Sequence, residues 1–179
     1  MSLISDKLKE GVLKLLEKLM APDYPSTPVA PTVAETKLIG PQTSEAVFAD
    51  FTLRSDEPES MGGGGSAPPP STVFVSAIGF AENVIFARQA AMLNVDFDSF
   101  ETRVEAQWDR RGLFEIKNAD PSISDLFIET RIVTKATPER VAELLTLTHR
   151  RCPMTRTMAK AAKIRRRLLV NGKETRVKF

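Results

Sequence analysis

Cysteine and histidine each occur once in the 179 residues, three positions apart in His149-Arg150-Arg151-Cys152-Pro153. A thiolate attacks peroxides and disulfides, and neighbouring positive charge lowers the pKa of a thiol. Residues three apart on a helix share a face, so His149 can stand beside Cys152 as a base. Cys152 is therefore the candidate catalytic residue, a redox-sensitive thiol or a one-cysteine peroxidase, although no third group that would orient the histidine is visible. The competing reading is structural. Cysteine is among the most buried residue types, and Cys152 continues the apolar stripe of Val141, Leu144, Leu145 and Thr148.

A second chemically charged position is Glu82, set inside a mostly apolar run over 73–92. A buried carboxylate needs a cation or hydrogen-bond donors, or else it takes up a proton. An arginine partner at an interface is the expectation. The four glycines 62–65 are not followed by Gly-Lys-Ser/Thr, so they form no P-loop and read as a flexible loop. A single histidine excludes a His-cluster metal site, and no metal or cofactor is expected.

Charge is divided unevenly along the chain. Residues 150–179 hold eleven Lys/Arg against one acid, Glu174, a net +10, and the remaining fourteen bases and twenty-two acids leave −8 on residues 1–149. Arg150, Arg151, Arg156, Lys160, Lys163, Arg165, Arg166 and Arg167 are the candidate contacts to phosphate or to an acidic partner. Such a stretch neutralises phosphates without reading base sequence. Because no aromatic residue interrupts it before Phe179, contact to the backbone of folded RNA, or to an acidic protein, is expected rather than stacking on single strands. The alternative is a solvated strand face balanced by acidic neighbours.

With 42% hydrophobic and 27% charged residues the composition is that of an ordinary globular protein, which excludes collagen-like, wholly disordered and disulfide-stapled chains. One cysteine makes no internal disulfide, so an intracellular reducing compartment is expected, the cytoplasm or an organelle matrix. No apolar run reaches the roughly 18 residues of a membrane span, and the first residues lack the apolar stretch of a secretory signal.

These candidate residues need elements to position them. Ile4, Leu8, Val12, Leu15, Leu16 and Leu19 predict an amphipathic helix over 3–20, itself a candidate docking element for a partner. Prolines 22, 25, 28 and 31 make 21–34 a stiff linker that detaches this helix from a domain over 35–179. Strands are expected over 35–40 and 46–54, then a loop, then a helix capped by Ser71 or Thr72 and running to about Leu93. That helix is apolar around most of its circumference and so belongs in the middle of something. Alternation predicts strands over 99–108 and 126–132, with a short strand over 114–117 between them. Thr137-Pro138-Glu139 starts a helix that Pro153 ends at Cys152. Asn171-Gly172 is the turn pair of a hairpin between 167–170 and 173–179. The fold class is α+β, with antiparallel sheets and a long buried central helix.

This order and several motifs resemble the OsmC/Ohr family of organic hydroperoxide reductases, over about 35–170. The residues are Asp56-Glu57-Pro58, Met61-Gly62-Gly63, Ser76-Ala77-Ile78-Gly79, Leu93-Asn94-Val95 and His149-Arg150-Arg151-Cys152-Pro153-Met154, the last similar to the family's second cysteine motif. The resemblance implies an intertwined homodimer with active sites at the subunit interface. A first cysteine attacks the peroxide beside an arginine and a glutamate, and a second cysteine resolves the sulfenic acid. In the family the attacking cysteine lies eleven residues after the proline of a Pro-Glu pair. Here that count from Pro70 reaches Ala81, and Ser71 stands at the glutamate position. Cys152 occupies the resolving position alone. Arg54, Arg88 and Arg103 are equally available for the arginine, and none is assigned.

The resulting expectation is a non-catalytic protein of this fold that serves as a binding or structural subunit, in a ribonucleoprotein assembly or another complex, as a homodimer or paired with a related chain. The alternatives are a thiol-dependent hydroperoxide reductase using Cys152 and a carrier holding an apolar molecule near Ala81, Glu82 and Cys152.

Overall fold

The computed structural model describes residues 2–26 and 31–177. Pro28 of the proline linker, and Lys178 and Phe179 at the end of the basic segment, lie outside the described residues. The chain forms two compact units, Pro22–Ser76 and the combination of Met1–Ala21 with Ala77–Phe179.

In the first of these, β1 (Glu35–Leu38), β2 (Ser44–Phe48) and β3 (Phe51–Ser55) make an antiparallel meander in that order. The single strand expected over 46–54 is two strands, because Ala49 turns the chain at φ 49° and Phe48 pairs with Phe51. The glycine loop that follows is built rather than loose. Asp56 is fully buried, and its Oδ2 accepts the N–H of Gly64 at 3.2 Å, the N–H of Ser66 at 3.0 Å and the Ser66 hydroxyl at 2.8 Å. A Cβ on Gly63 would lie 1.9 Å from the Glu57 carbonyl oxygen, so only glycine fits there.

The Ser66 N–H and hydroxyl hold the Asp56 carboxyl below its ordinary pKa. A depressed carboxylate stabilises the fold above its unfolded pKa of about 3.9 and loses that contribution as pH falls through the folded value. The Tm difference between wild type and Asp56→Asn is therefore expected to be full at neutral pH and to shrink below about pH 4. A pH-independent difference would refute the assignment.

The other unit carries a mixed sheet of β4 (Ser99–Gln107), β5 (Asp125–Val133), β6 (Lys163–Val170) and β7 (Lys173–Thr175), in sequence order. β4–β5 and β6–β7 are antiparallel as expected, but β5–β6 is parallel. Two parallel neighbours need a long crossover, and α3 (Pro138–Arg151) with α4 (Pro153–Met158) supplies it. Thr137 caps α3 through Arg140 N–H, and Cys152 is the junction between the two helices. Asn171 at φ 49° and Gly172 at φ 78° form the predicted tight turn. The short strand expected over 114–117 is instead a pair of 3-10 turns, Arg110–Phe114 and Ile116–Asn118, with Glu115, Lys117 and Asn118 at positive φ.

The long helix α2 (Pro70–Met92) starts in one unit and continues through the other. It begins at Pro70, one residue before the expected caps, since proline already holds the φ of a first helical turn. By length and composition it could cross a membrane. Beyond Ala77, Ile78, Gly79, Glu82, Phe86, Gln89, Ala90 and Ala91 are buried, while Phe80 and Val84 are 68% and 51% exposed. The expectation of a helix enclosed on all sides does not hold within one chain.

The core gathers around Phe86, whose ring stacks on Phe100 at 4.1 Å and meets Phe97 edge-on at 5.5 Å. Ile132, Val141, Leu144, Leu145, Leu168 and Val170 close around it. α1 (Asp6–Met20) joins this core through Val12, and the residues before it through Ile4 and a bond from Leu3 N–H to Phe97 O at 2.9 Å. The helix that the linker was expected to detach is thus part of the unit that holds the site.

Candidate functional site

β6 explains the placement of the basic residues. Its side chains alternate, with Ile164, Arg166, Leu168 and Val170 turned toward the helices and Arg165 and Arg167 toward solvent. Arg166 therefore lies among apolar neighbours, its side chain only 2% exposed. Its Nη1 donates to Glu82 Oε2 at 3.0 Å and its Nη2 to Glu82 Oε1 at 2.8 Å, a bidentate pair with a wholly buried carboxylate. Thr155, on the first turn of α4, donates its hydroxyl to the same Glu82 oxygen. Glu82 has the arginine it needs, supplied by its own chain rather than across an interface.

His149 completes the cluster, with its Nδ1 3.0 Å from Arg166 Nη2. A guanidinium only donates, so Nδ1 accepts and the ring carries its proton on Nε2. Burial first, and then the Arg166 charge, push the His149 pKa below its ordinary value, while Glu82 opposes them. Both effects favour the neutral ring, which is linked to the ion pair through Arg166.

Cys152 is fully buried one turn before Thr155. Ala81 is half-buried beside Glu82 on α2, and Ser71 is exposed near the start of that helix. Among the described residues, no group of three or more histidines, cysteines and carboxylates could hold a metal.

The other basic residues divide in two. Arg165 pairs with Asp125 at 3.0 Å, and Arg167 reaches Glu129 at 3.2 Å and Glu174 at 3.3 Å. Arg151 donates to Gln89 on α2. Arg150, Arg156, Lys160 and Lys163 are exposed, and none forms an ion pair among the described residues. Arg166, grouped by sequence with the phosphate contacts, is an internal residue and presents no charge to a partner. Of the three arginines left unassigned, Arg54 bonds Glu45 at 2.9 Å, Arg103 bonds Glu105, and Arg88 is exposed.

Sequence reading missed the partnership of Arg166 and Thr155 with Glu82. The signal was available in the period of two through Ile164, Leu168 and Val170, which puts residue 166 on the inward face. A lone inward arginine and a lone carboxylate in an apolar helix each require the other.

An α+β unit with one long helix against a mixed sheet is the architecture of OsmC-like proteins. Residues 63–166 match the family described as OsmC-like protein, and the chain belongs to that family. Among solved structures, an OsmC-like protein from Mycoplasma pneumoniae superposes with a TM-score of 0.70 at 12% identity, over 79% of this chain and 97% of that one. An organic hydroperoxide resistance protein OsmC from Legionella pneumophila gives 0.60 at 15% identity, over 79% and 98% of the two chains. A putative organic hydroperoxide resistance protein from Vibrio cholerae O1, with captopril bound in one of its active sites, gives 0.59 at 16% identity, over 82% and 96%. At these identities the likeness is one of fold. No curated protein sequence matches the chain.

Proposed function

We propose that this chain is a binding or structural subunit built on the OsmC-like fold, without peroxide-reducing turnover of its own. The observation that carries the reading is the state of the chemical positions in the sequence. The only thiol, Cys152, is fully buried, Ala81 has no nucleophile, and the neighbouring Glu82 is committed to Arg166 and Thr155. A carboxylate that already accepts from both ends of a guanidinium and from a hydroxyl has few acceptor sites left for a reacting group.

The binding surfaces are of two kinds. The exposed Phe80 and Val84 of α2, and in the other unit Val47, Phe51 and Leu53, are apolar side chains suited to a second copy or a related chain. Arg150, Arg156, Lys160 and Lys163 are exposed cations that form no ion pair among the described residues, suited to an acidic partner, either a protein or RNA in a ribonucleoprotein assembly. The pairing of Arg165, Arg166 and Arg167 with acids leaves this patch smaller than the +10 of the segment suggests. A reducing compartment, cytoplasmic or within an organelle, suits an unpaired cysteine.

A second reading is favoured by His149 three positions before Cys152 in the sequence and by the fold neighbours named for hydroperoxide resistance. In it, the Cys152 thiolate attacks the peroxide O–O bond, releasing an alcohol and leaving a sulfenic acid, which an external dithiol reduces with loss of water.

One experiment separates the two. Purified protein is mixed with tert-butyl hydroperoxide and dithiothreitol, and peroxide loss is followed beside Cys152→Ser. The binding-subunit reading expects both proteins to match the dithiothreitol blank. Wild-type turnover that disappears in Cys152→Ser would overturn it in favour of the reductase.

A further inference from the structure

A groove that the Cys152 chemistry does not use runs along the flank of α1, beside the residues that dock on the core. It encloses about 400 Å³ and is lined by Ser5, Lys7, Leu8, Gly11, Val12 and Leu15 of α1 and its N-cap, with Arg88 of α2. Three observations point to an occupant. The first is Gly11. A glycine inside a helix is less favourable than alanine, and a Cβ here would meet nothing within 4 Å. Nothing among the described residues requires the side chain to be absent, whereas close approach of another backbone would.

The second observation is the apolar stripe. Its first half docks on the core through Ile4 and Val12, but Leu15 and Leu19 remain 42% and 45% exposed. The third is charge. Lys7, Lys14 and Lys18 fall on the same helix face as Gly11 and Leu15. They and Arg88 are exposed, and none of the four forms an ion pair among the described residues.

We infer that this groove docks an acidic amphipathic helix, with its apolar ridge laid over Gly11 between Leu8 and Leu15 and its carboxylates against Lys7, Lys14, Lys18 and Arg88. Ridge-into-groove packing is the ordinary way two helices meet. A second copy of α1 would bring three lysines against three lysines. A bilayer is flat and would meet the lysine rim without filling the floor. Occupancy of the groove does not depend on whether Cys152 reacts.

The test uses the full chain and a fluorescein-labelled peptide of about four helical turns, with leucines at helical spacing on one face and glutamates on the rest. Anisotropy is expected to rise saturably and to weaken with added salt. Gly11→Leu, and separately the pair Lys7→Glu with Arg88→Glu, should each weaken binding about tenfold or more. The same peptide with lysines for glutamates should bind about tenfold more weakly.

Gly11→Ala provides the control for folding. It is expected to raise the Tm of the free chain, because the added methyl group meets open space. The proposal is overturned by a lowered Tm in Gly11→Ala, by equal binding of the lysine peptide, by Gly11→Leu binding like wild type, or by no saturable binding at all. Binding to phosphatidylserine vesicles without binding to the peptide would assign the face to a membrane surface and overturn it equally.

Discussion

Glu82→Ala is expected to destabilise the fold by about 3–5 kcal/mol, and Arg166→Ala by a similar amount. Each substitution leaves the other charge buried, with Glu82 wholly enclosed and Arg166 2% exposed. Loss of Glu82 also strips the Thr155 hydroxyl of its acceptor at the first turn of α4. The double variant Glu82→Leu with Arg166→Met removes both charges and keeps apolar volume. Replacing a buried pair in this way is often neutral, or stabilising by about 1–4 kcal/mol, so the double variant should recover most of the loss. Urea denaturation of the four proteins gives the coupling energy directly. If either single variant lies within about 1 kcal/mol of wild type, the pair behaves like a surface salt bridge and does not hold α2 to β6.

The consequence reaches beyond stability. The pair joins α2, α4 and β6 beside Cys152, so the α3–α4 junction should loosen when it is broken. Reaction of Cys152 with a thiol reagent under native conditions is expected to be slow in wild type and much faster in Glu82→Ala. Equal rates would mean that opening of this region does not depend on the pair.

Phe86→Ala is the second large effect, with an expected cost of about 3–5 kcal/mol. The ring is fully buried, stacked on Phe100 and edge-on to Phe97, and it lies where α2 meets the core that α1 and α3 share. A cavity there has rigid walls on several sides, since the helices and the sheet cannot all move inward together. Phe86→Leu keeps most of the volume and should cost much less. Urea or thermal melts of the two variants measure both. A loss below about 2 kcal/mol for Phe86→Ala would mean that the neighbours collapse into the space.

Local rules made much of the fold legible. Phe100, Thr102, Val104 and Ala106 alternate, and so do Leu126, Ile128, Thr130 and Ile132, and both runs are strands. Thr137-Pro138 starts α3, Pro153 ends it, and Asn171-Gly172 turns a hairpin. Each of these depends on backbone chemistry within a few residues. Where local chemistry was silent, the reading missed. The turn at Ala49 carries no Asn-Gly pair, so two strands looked like one. Phe114 and Ile116 alternate like a strand but occupy 3-10 turns, because residues 115, 117 and 118 take up positive φ.

The candidate site divides along the same line. The sequence by itself determined that there is one thiol, that residues 71 and 81 are serine and alanine, and that a carboxylate interrupts a mostly apolar helix. Those are facts of residue identity and spacing. The tertiary structure decided which cation meets Glu82, because the pairing of residues 82 and 166 arises only when a parallel β6 is laid beside β5 by the α3–α4 crossover. It also decided that Arg165 and Arg167 are balanced by Asp125, Glu129 and Glu174, since cross-strand neighbours come from distant parts of the chain. Net charge along a segment is additive, but the field at a surface depends on what folding places opposite each charge.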